Sequence, residues 1–251
     1  MWDRMMILPD TEALAAASAD WLTEGLRRKP DALVCIASGH TQRDMLAILC
    51  RQVQTGKLDL SRLRLIGLDE WVGLGPADQG SCQQILQTSF FQPAGLRQDQ
   101  ITFFDACAAD LDAECLRIDQ FLDEEGPIDY LILGVGMNGH VGFNEPGSPL
   151  HNRSYYRDLD PVSAEIGQKY FAAPRELKQG ITLGLQDLTQ AKKILIQVIG
   201  EAKAPIVRAF LAQPHQPEQP ASHFWPLQST TVFLDRAAAR LLPAAPVHIF
   251  G

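Results

Sequence analysis

Between Gly134 and Gly147 the chain reads Gly-Val-Gly-Met-Asn-Gly-His140-Val-Gly-Phe-Asn-Glu145-Pro-Gly, five glycines in fourteen residues. Glycine at that density defeats both helix and strand, because each residue gives up too much backbone freedom on ordering. The run follows Ile128-Asp-Tyr-Leu-Ile-Leu133, a short apolar stretch that reads as a buried strand. Open α/β sheets build their sites at the carboxyl ends of strands, where a glycine turn lets the backbone approach a ligand. This turn carries an imidazole, a carboxylate and two carboxamides, so it reads as a site. A plain turn with incidental polar residues is the competing reading.

The remaining chain alternates strands with helices. Asp10 caps a helix whose inner face holds Leu14, Trp21 and Leu22. Leu33–Ile36 is a buried strand, Ala37-Ser-Gly-His-Thr41 a turn, and a helix with Met45, Ile48 and Leu49 inward follows. Strand, small-residue turn, helix is an arrangement that favours an anion at the positive helix end, although this turn lacks the length and lysine of a P-loop. Leu63–Leu68 is a strand with Asp69, Glu70 and Trp71 at its end. Adjacent residues on an extended chain point to opposite faces, so one of Asp69 and Glu70 faces the crevice and the other is structural. Ser81–Phe91 reads as a helix, and Leu111, Cys115, Ile118 and Leu122 form a second helical stripe. Residues 151–179 lose the pattern and read as a lid. Ile181–Leu185, Lys193–Ile199 and Thr231–Leu234 are strands, and Ala237–Leu242 is a last helix. Gly200-Glu-Ala-Lys203 is a second small-residue turn before a helix, with a lysine where the dipole disfavours a cation, which suggests an anionic ligand, a solvated surface lysine being the commoner reading.

This alternation predicts an α/β fold: a doubly wound, mostly parallel sheet with helices on both faces, Rossmann-like, bearing a lid. No internal repeat or composition break divides the 251 residues, so a single domain over 1–251 is expected. The net charge of −8 argues against a nucleic-acid or anionic-membrane partner, where clustered Lys and Arg are needed. An anionic small molecule would need a local pocket. The five cysteines, Cys35, Cys50, Cys82, Cys107 and Cys115, are scattered and contain no CxxC pair, which predicts buried thiols in a reducing compartment. No signal peptide or membrane span is read, so a cytoplasmic location is expected.

Known site patterns fit poorly. His140 and Glu145 are five apart with no second histidine at zinc spacing, so no metal is expected. The dinucleotide fingerprint begins at Gly134-Val-Gly136 but runs into Asn-Glu-Pro. A serine elbow is missing. Acid–base chemistry remains: His140, Glu145 and Asp69 on separate strand-end loops, with a histidine able to accept and donate a proton near neutrality.

These pieces resemble the glucosamine-6-phosphate deaminase/isomerase family. Leu68-Asp-Glu-Trp-Val-Gly-Leu74, the Gly134–Gly147 motif and Gly200-Glu-Ala-Lys203 carry the resemblance, in order, across roughly residues 30 to 235. Trp71 in place of the usual Tyr, Gly180-Ile-Thr-Leu-Gly-Leu-Gln-Asp187 and Pro220-Ala-Ser-His-Phe-Trp225 look more like the galactosamine-6-phosphate branch. The resemblance implies that Asp69 moves the proton between C1 and C2 and that His140 opens the pyranose ring. It implies that Glu145, helped by Asn138, orients and charge-tunes His140. Ser38, Gly39, His40, Thr41, Gly136 and Lys203 would hold the substrate and its phosphate. The product would be a ketose 6-phosphate plus ammonia, with no cofactor and a small-molecule amino-sugar phosphate as the partner. Homo-oligomerisation is left open.

Three departures stand out. The family's phosphate turn reads Thr-Gly-(Gly/Ser)-Thr-Pro, whereas this one reads Ser38-Gly-His40-Thr-Gln42. A family arginine of the lid has two candidate replacements, Lys169 and Arg175. The basic run of regulated members reads Arg153-Ser-Tyr155-Tyr-Arg157-Asp158 here, with one basic position lost to Tyr155, which predicts no activation by N-acetylhexosamine 6-phosphate. The rival readings are a 6-phosphogluconolactonase, whose loop normally continues into Ser-Leu-Phe-Pro-Gly, and a non-catalytic sugar-phosphate sensor.

Overall fold

The computed structural model describes residues 4–243. Its strands are β1 (Met5–Leu8), β2 (Leu33–Ile36), β3 (Arg64–Ile66), β4 (Asp69–Trp71), β5 (Ile101–Thr102), β6 (Tyr130–Gly134), β7 (Tyr155–Asp158), β8 (Gln179–Thr182), β9 (Lys193–Val198) and β10 (Thr230–Asp235). Its α-helices are α1 (Thr11–Arg28), α2 (Arg43–Gln54), α3 (Cys82–Leu86), α4 (Leu111–Glu125), α5 (Pro161–Gly167), α6 (Leu185–Thr189) and α7 (Ala204–Ala212). Seven strands make one sheet in the order β1-β10-β9-β6-β2-β3-β5, and every neighbouring pair is parallel.

Both faces of this sheet are apolar for a reason visible in its strands. Leu33 and Cys35 of β2 enter one core cluster while Val34 and Ile36 enter the other. In β6, Leu131 and Leu133 face one way and Ile132 the other. Period-two alternation with apolar residues on both sides requires helices on both sides, as in doubly wound sheets. One layer contains α4 and α7, the other α1 and α2. Asp10 and Asp110 cap α1 and α4 through hydrogen bonds of 2.9 Å from Ala13 N and Ala113 N, each worth about 1 kcal/mol.

The chain leaves β2 toward β3 and β5, then returns to lay β6 on the other side of β2. The crevice therefore opens beyond the carboxyl ends of β2 and β6, where the strand order reverses. A second, antiparallel sheet, β4-β8-β7, stands over that end. Its register pairs Asp69 with Thr182 and Tyr155 with Thr182 on the opposite side.

Several local expectations need correction. The strand expected at 181–185 lies at 179–182, and Leu185 instead begins α6. Asp69-Glu70-Trp71 is a strand of the second sheet, not a loop. The segment 151–179 contains β7 and α5, so it is more regular than its polar composition indicates. The helix expected over Ala237–Leu242 is a pair of turns, with Ala239 N donating to Asp235 O and Leu242 N to Ala239 O; six residues rarely repay helix nucleation. β1 and β5 were not foreseen, being four and two residues long with no alternation to read. Cys107 is exposed, while the other four cysteines are buried as expected. No helix among the described residues is long and apolar enough to cross a membrane.

Candidate active site

Three loops and the lid enclose one cavity. The turn after β2 contributes Ser38, Gly39, His40 and Thr41. The loop after β6 contributes Gly134, Gly136, His140 and Gly142, and the second sheet contributes Asp69 and Trp71. Ser163, Gly167, Lys169 and Tyr170 line it from the lid, and Lys203 from the α7 entry.

Asp69 and Glu70 diverge, as the pleat requires. The Asp69 carboxyl faces the cavity and packs on Gly142: a Cβ there would lie 3.5 Å from its Oδ2 and 2.7 Å from Thr182 Oγ1. Gly142 also has φ +58°, so the loop passes the carboxyl in a conformation that favours glycine. Burial first, and the neighbouring Glu70 carboxyl second, push Asp69 up to about 7. Glu70 turns inward and accepts hydrogen bonds of 2.9 Å from the backbone N–H groups of Trp71, Cys82 and Gln83 at the start of α3. It caps that helix and does not line the cavity.

His140 is held from three sides. Gly136 leaves room for the ring, since a Cβ there would overlap the imidazole. Its Nδ1 lies 3.3 Å from Glu145 Oε2 and 2.9 Å from Ser163 Oγ. Glu145 is 1 % exposed and also accepts a 2.9 Å bond from Asn138 Nδ2, while Asn138 Oδ1 accepts from His140 N at 3.2 Å. Burial raises the Glu145 carboxyl, but bonds from His140, Ser163 and Asn138 together with the imidazole charge outweigh it and hold it below its ordinary value. Glu145 and Asn138 thus sit behind the histidine, not in the cavity wall. The loop itself is pinned by Asn144, whose Nδ2 donates to Val141 O and Leu183 O, both at 2.9 Å.

Two helix entries border the cavity. Ser38 to Thr41 precede α2, where free N–H groups and the dipole favour negative charge. Lys203 donates to Val135 O at 2.5 Å, and burial, then the Lys169 ammonium, pull it down to about 8. Burial likewise lowers Lys169, whose ammonium lies over the Tyr170 ring. Two part-buried ammonium groups in one cavity, one depressing the other, favour an anion beside them. Arg175 lies elsewhere: it pairs with Asp78 at 3.0 Å and rests on Phe171. His40 packs against Tyr170 with ring centroids 5.1 Å apart and planes tilted by 31°, so the residue at the position of the family's small one touches the lid. Burial and the Lys169 and Arg43 charges lower its imidazole.

The sequence reading missed Ser163, Asn144, Thr182, Cys82 and Tyr170. Asn144 was legible as a second carboxamide of the motif. Ser163 and Tyr170 lie in the lid, where nothing periodic marks them. Among the described residues no three His, Cys, Asp or Glu side chains cluster as metal ligands.

A parallel sheet with this crevice, Asp69 and His140 lining one cavity, and Lys169 and Lys203 in the same wall make an α/β enzyme fold whose cavity carries acid–base and cationic groups together. The chain belongs to the family of glucosamine-6-phosphate isomerases and 6-phosphogluconolactonases, which it matches over residues 9–233. The glucosamine-6-phosphate deaminase of Bacillus pumilus is 32% identical over 233 residues, 92% of this chain and 97% of that protein. A solved monomeric glucosamine-6-phosphate deaminase superposes with a TM-score of 0.92 at 32% identity, covering 95% of this chain and 99% of its own. The 6-phosphogluconolactonase of Trypanosoma brucei shares the fold at TM-score 0.74 but only 17% identity, covering 95% and 98%.

Proposed function

We propose that the protein is a hexosamine-6-phosphate deaminase/isomerase, converting galactosamine 6-phosphate or glucosamine 6-phosphate and water to tagatose or fructose 6-phosphate and ammonia. The observation that carries this reading is that Asp69, raised to about 7, lines one cavity with His140. A carboxylate tuned to neutrality is matched to abstracting a proton from carbon beside a carbonyl, because base strength and deprotonated fraction are then both substantial. A lactonase moves no proton between C1 and C2, so it has no carbon acid for such a base to deprotonate.

In this mechanism the phosphate rests on the turn at Ser38–Thr41 and between Lys203 and Lys169. His140 takes the proton of the anomeric hydroxyl and delivers one to the ring oxygen, which opens the pyranose. Asp69 removes the proton from C2, giving an enolamine, and returns it to C1. The C2 imine that results is hydrolysed, so that water supplies the ketone oxygen and the nitrogen leaves as ammonia. Glu145 stays ionised and balances the imidazolium. The likeness of Trp71 and the Gly180–Asp187 stretch to the galactosamine-6-phosphate branch supports the galacto substrate as the better one.

The test is to incubate the protein with each hexosamine 6-phosphate and measure ammonia. Release from the galacto substrate at the higher kcat/KM is expected. No ammonia from either, with hydrolysis of 6-phosphogluconolactone, would overturn the proposal in favour of the lactonase.

A further inference from the structure

The lid reaches the histidine through a single hydroxyl. Ser163 stands in the first turn of α5, capped by Asp160 with Pro161 at its start, and is 4 % exposed. Its Oγ is 2.9 Å from His140 Nδ1, whereas Glu145 Oε2 is 3.3 Å from the same atom. Charge-assisted bonds between nitrogen and carboxylate are normally about 2.7–2.9 Å. The serine contact is therefore the short one, and the Glu145 contact is long for the orienting bond of a catalytic histidine.

We propose that Ser163 is a positioning residue: it fixes the His140 tautomer and makes that tautomer depend on the lid being seated. This rests on the proposed role of His140. One arrangement uses the serine, the imidazole and the carboxylate together. Nδ1–H donates to Ser163 Oγ, and the Ser163 hydroxyl donates its own proton to the Glu145 carboxylate, which Asn138 also engages. The far nitrogen, Nε2, is then unprotonated and free to take the anomeric proton. With α5 lifted away, Nδ1 keeps only the long carboxylate contact, and the alternative Nε2–H form, useless as a base, gains population. Seating of α5 is reported on the other wall by Tyr170 packed against His40, so one segment would couple the cationic end to the proton-transfer end.

The experiment uses the full chain labelled with nitrogen-15 histidine, with His140 assigned by its loss in His140→Gln. Spectra are recorded at a pH where the ring is neutral, for wild type, Ser163→Ala, Ser163→Thr and, on the exposed side of the same helix, Val162→Ala. We expect Nδ1 protonated in wild type and in Val162→Ala, a shift toward the Nε2–H form in Ser163→Ala, and recovery in Ser163→Thr. Ser163→Ala should lose about tenfold in kcat with KM within about twofold, the cost of one hydrogen bond made at the reacting group. Unchanged ring nitrogens in Ser163→Ala overturn the proposal even if activity falls, because the serine would then act only on lid packing. A shift in both Ser163→Ala and Ser163→Thr overturns it too, since the hydroxyl would not be what matters. If wild type releases no ammonia the proposed function fails, yet the nitrogen spectra still decide the role of Ser163.

Discussion

Asp69 and Glu70 are consecutive residues of one short strand, yet one carboxyl looks into the crevice and the other ties down the start of α3. Two acids of the same charge, one bond apart along the chain, thereby acquire separate duties. Substitution separates them. Asp69→Asn is expected to lower kcat about 10²–10⁴-fold, the usual worth of a general base, while leaving phosphate binding and Tm nearly unchanged. Steady-state ammonia assays beside calorimetric phosphate titration check this.

Glu70→Ala should behave in the opposite way. It strands three backbone N–H donors, two of them buried, a loss of about 3 kcal/mol or roughly 6–12 °C in Tm, with any loss of activity following from lost fold. Thermal unfolding followed by circular dichroism reads it. A Tm equal to wild type would remove Glu70 from its capping role.

The pH profile follows from two shifted groups. Asp69 must be deprotonated to act, and it titrates at about 7, so kcat/KM should fall as pH drops below about 7. Lys203 must be protonated to attract phosphate and is pulled down to about 8, so affinity should fall as pH rises above about 8. The free-enzyme profile is therefore a narrow bell between these values. Lys203→Arg, which stays charged, should extend the alkaline side. A profile flat from pH 6 to 9 would contradict both assignments.

Lys169 and Arg175 are distinguished by position. Lys169 lines the cavity and Arg175 is spent on Asp78 and Phe171. Lys169→Ala should raise KM tenfold or more, as expected for a lost charge-assisted bond, and Arg175→Ala should change it less than about twofold. Equal effects from the two variants would refute the distinction.

The basic run of the regulated relatives is occupied differently here. Arg153 is engaged by Asp123 and Asp187, and the Tyr155 hydroxyl and Arg157 both bond Ser148. With these groups already committed, rate against substrate should be hyperbolic and unaffected by N-acetylhexosamine 6-phosphate. A sigmoidal curve that the ligand straightens would show otherwise.

Much of this was legible in the residues. The glycine density after an apolar run located the crevice, and the alternation of strands with helices gave the parallel sheet. The pleat argument anticipated that only one of Asp69 and Glu70 would reach the cavity. The failures have a common cause. β4 and β7 are three and four residues long and their pairing is non-local, so nothing in a short window marks them, while β8 was read two residues late. Ser163 was invisible for the same reason: its significance is a contact with His140, 23 residues away. The placement of Lys169 over Arg175 needed the course of the lid, which composition does not encode.

The small antiparallel sheet has a consequence for how such a catalyst diversifies. Its register locks Asp69 opposite Thr182, and β7 and β8 are the two roots from which α5 grows. Whatever is spliced between those roots can change length or shape while the base keeps its coordinates. The segment 159–178, which brings Ser163, Lys169 and Tyr170 to the cavity, is thus an exchangeable cassette whose replacement leaves Asp69 in its register.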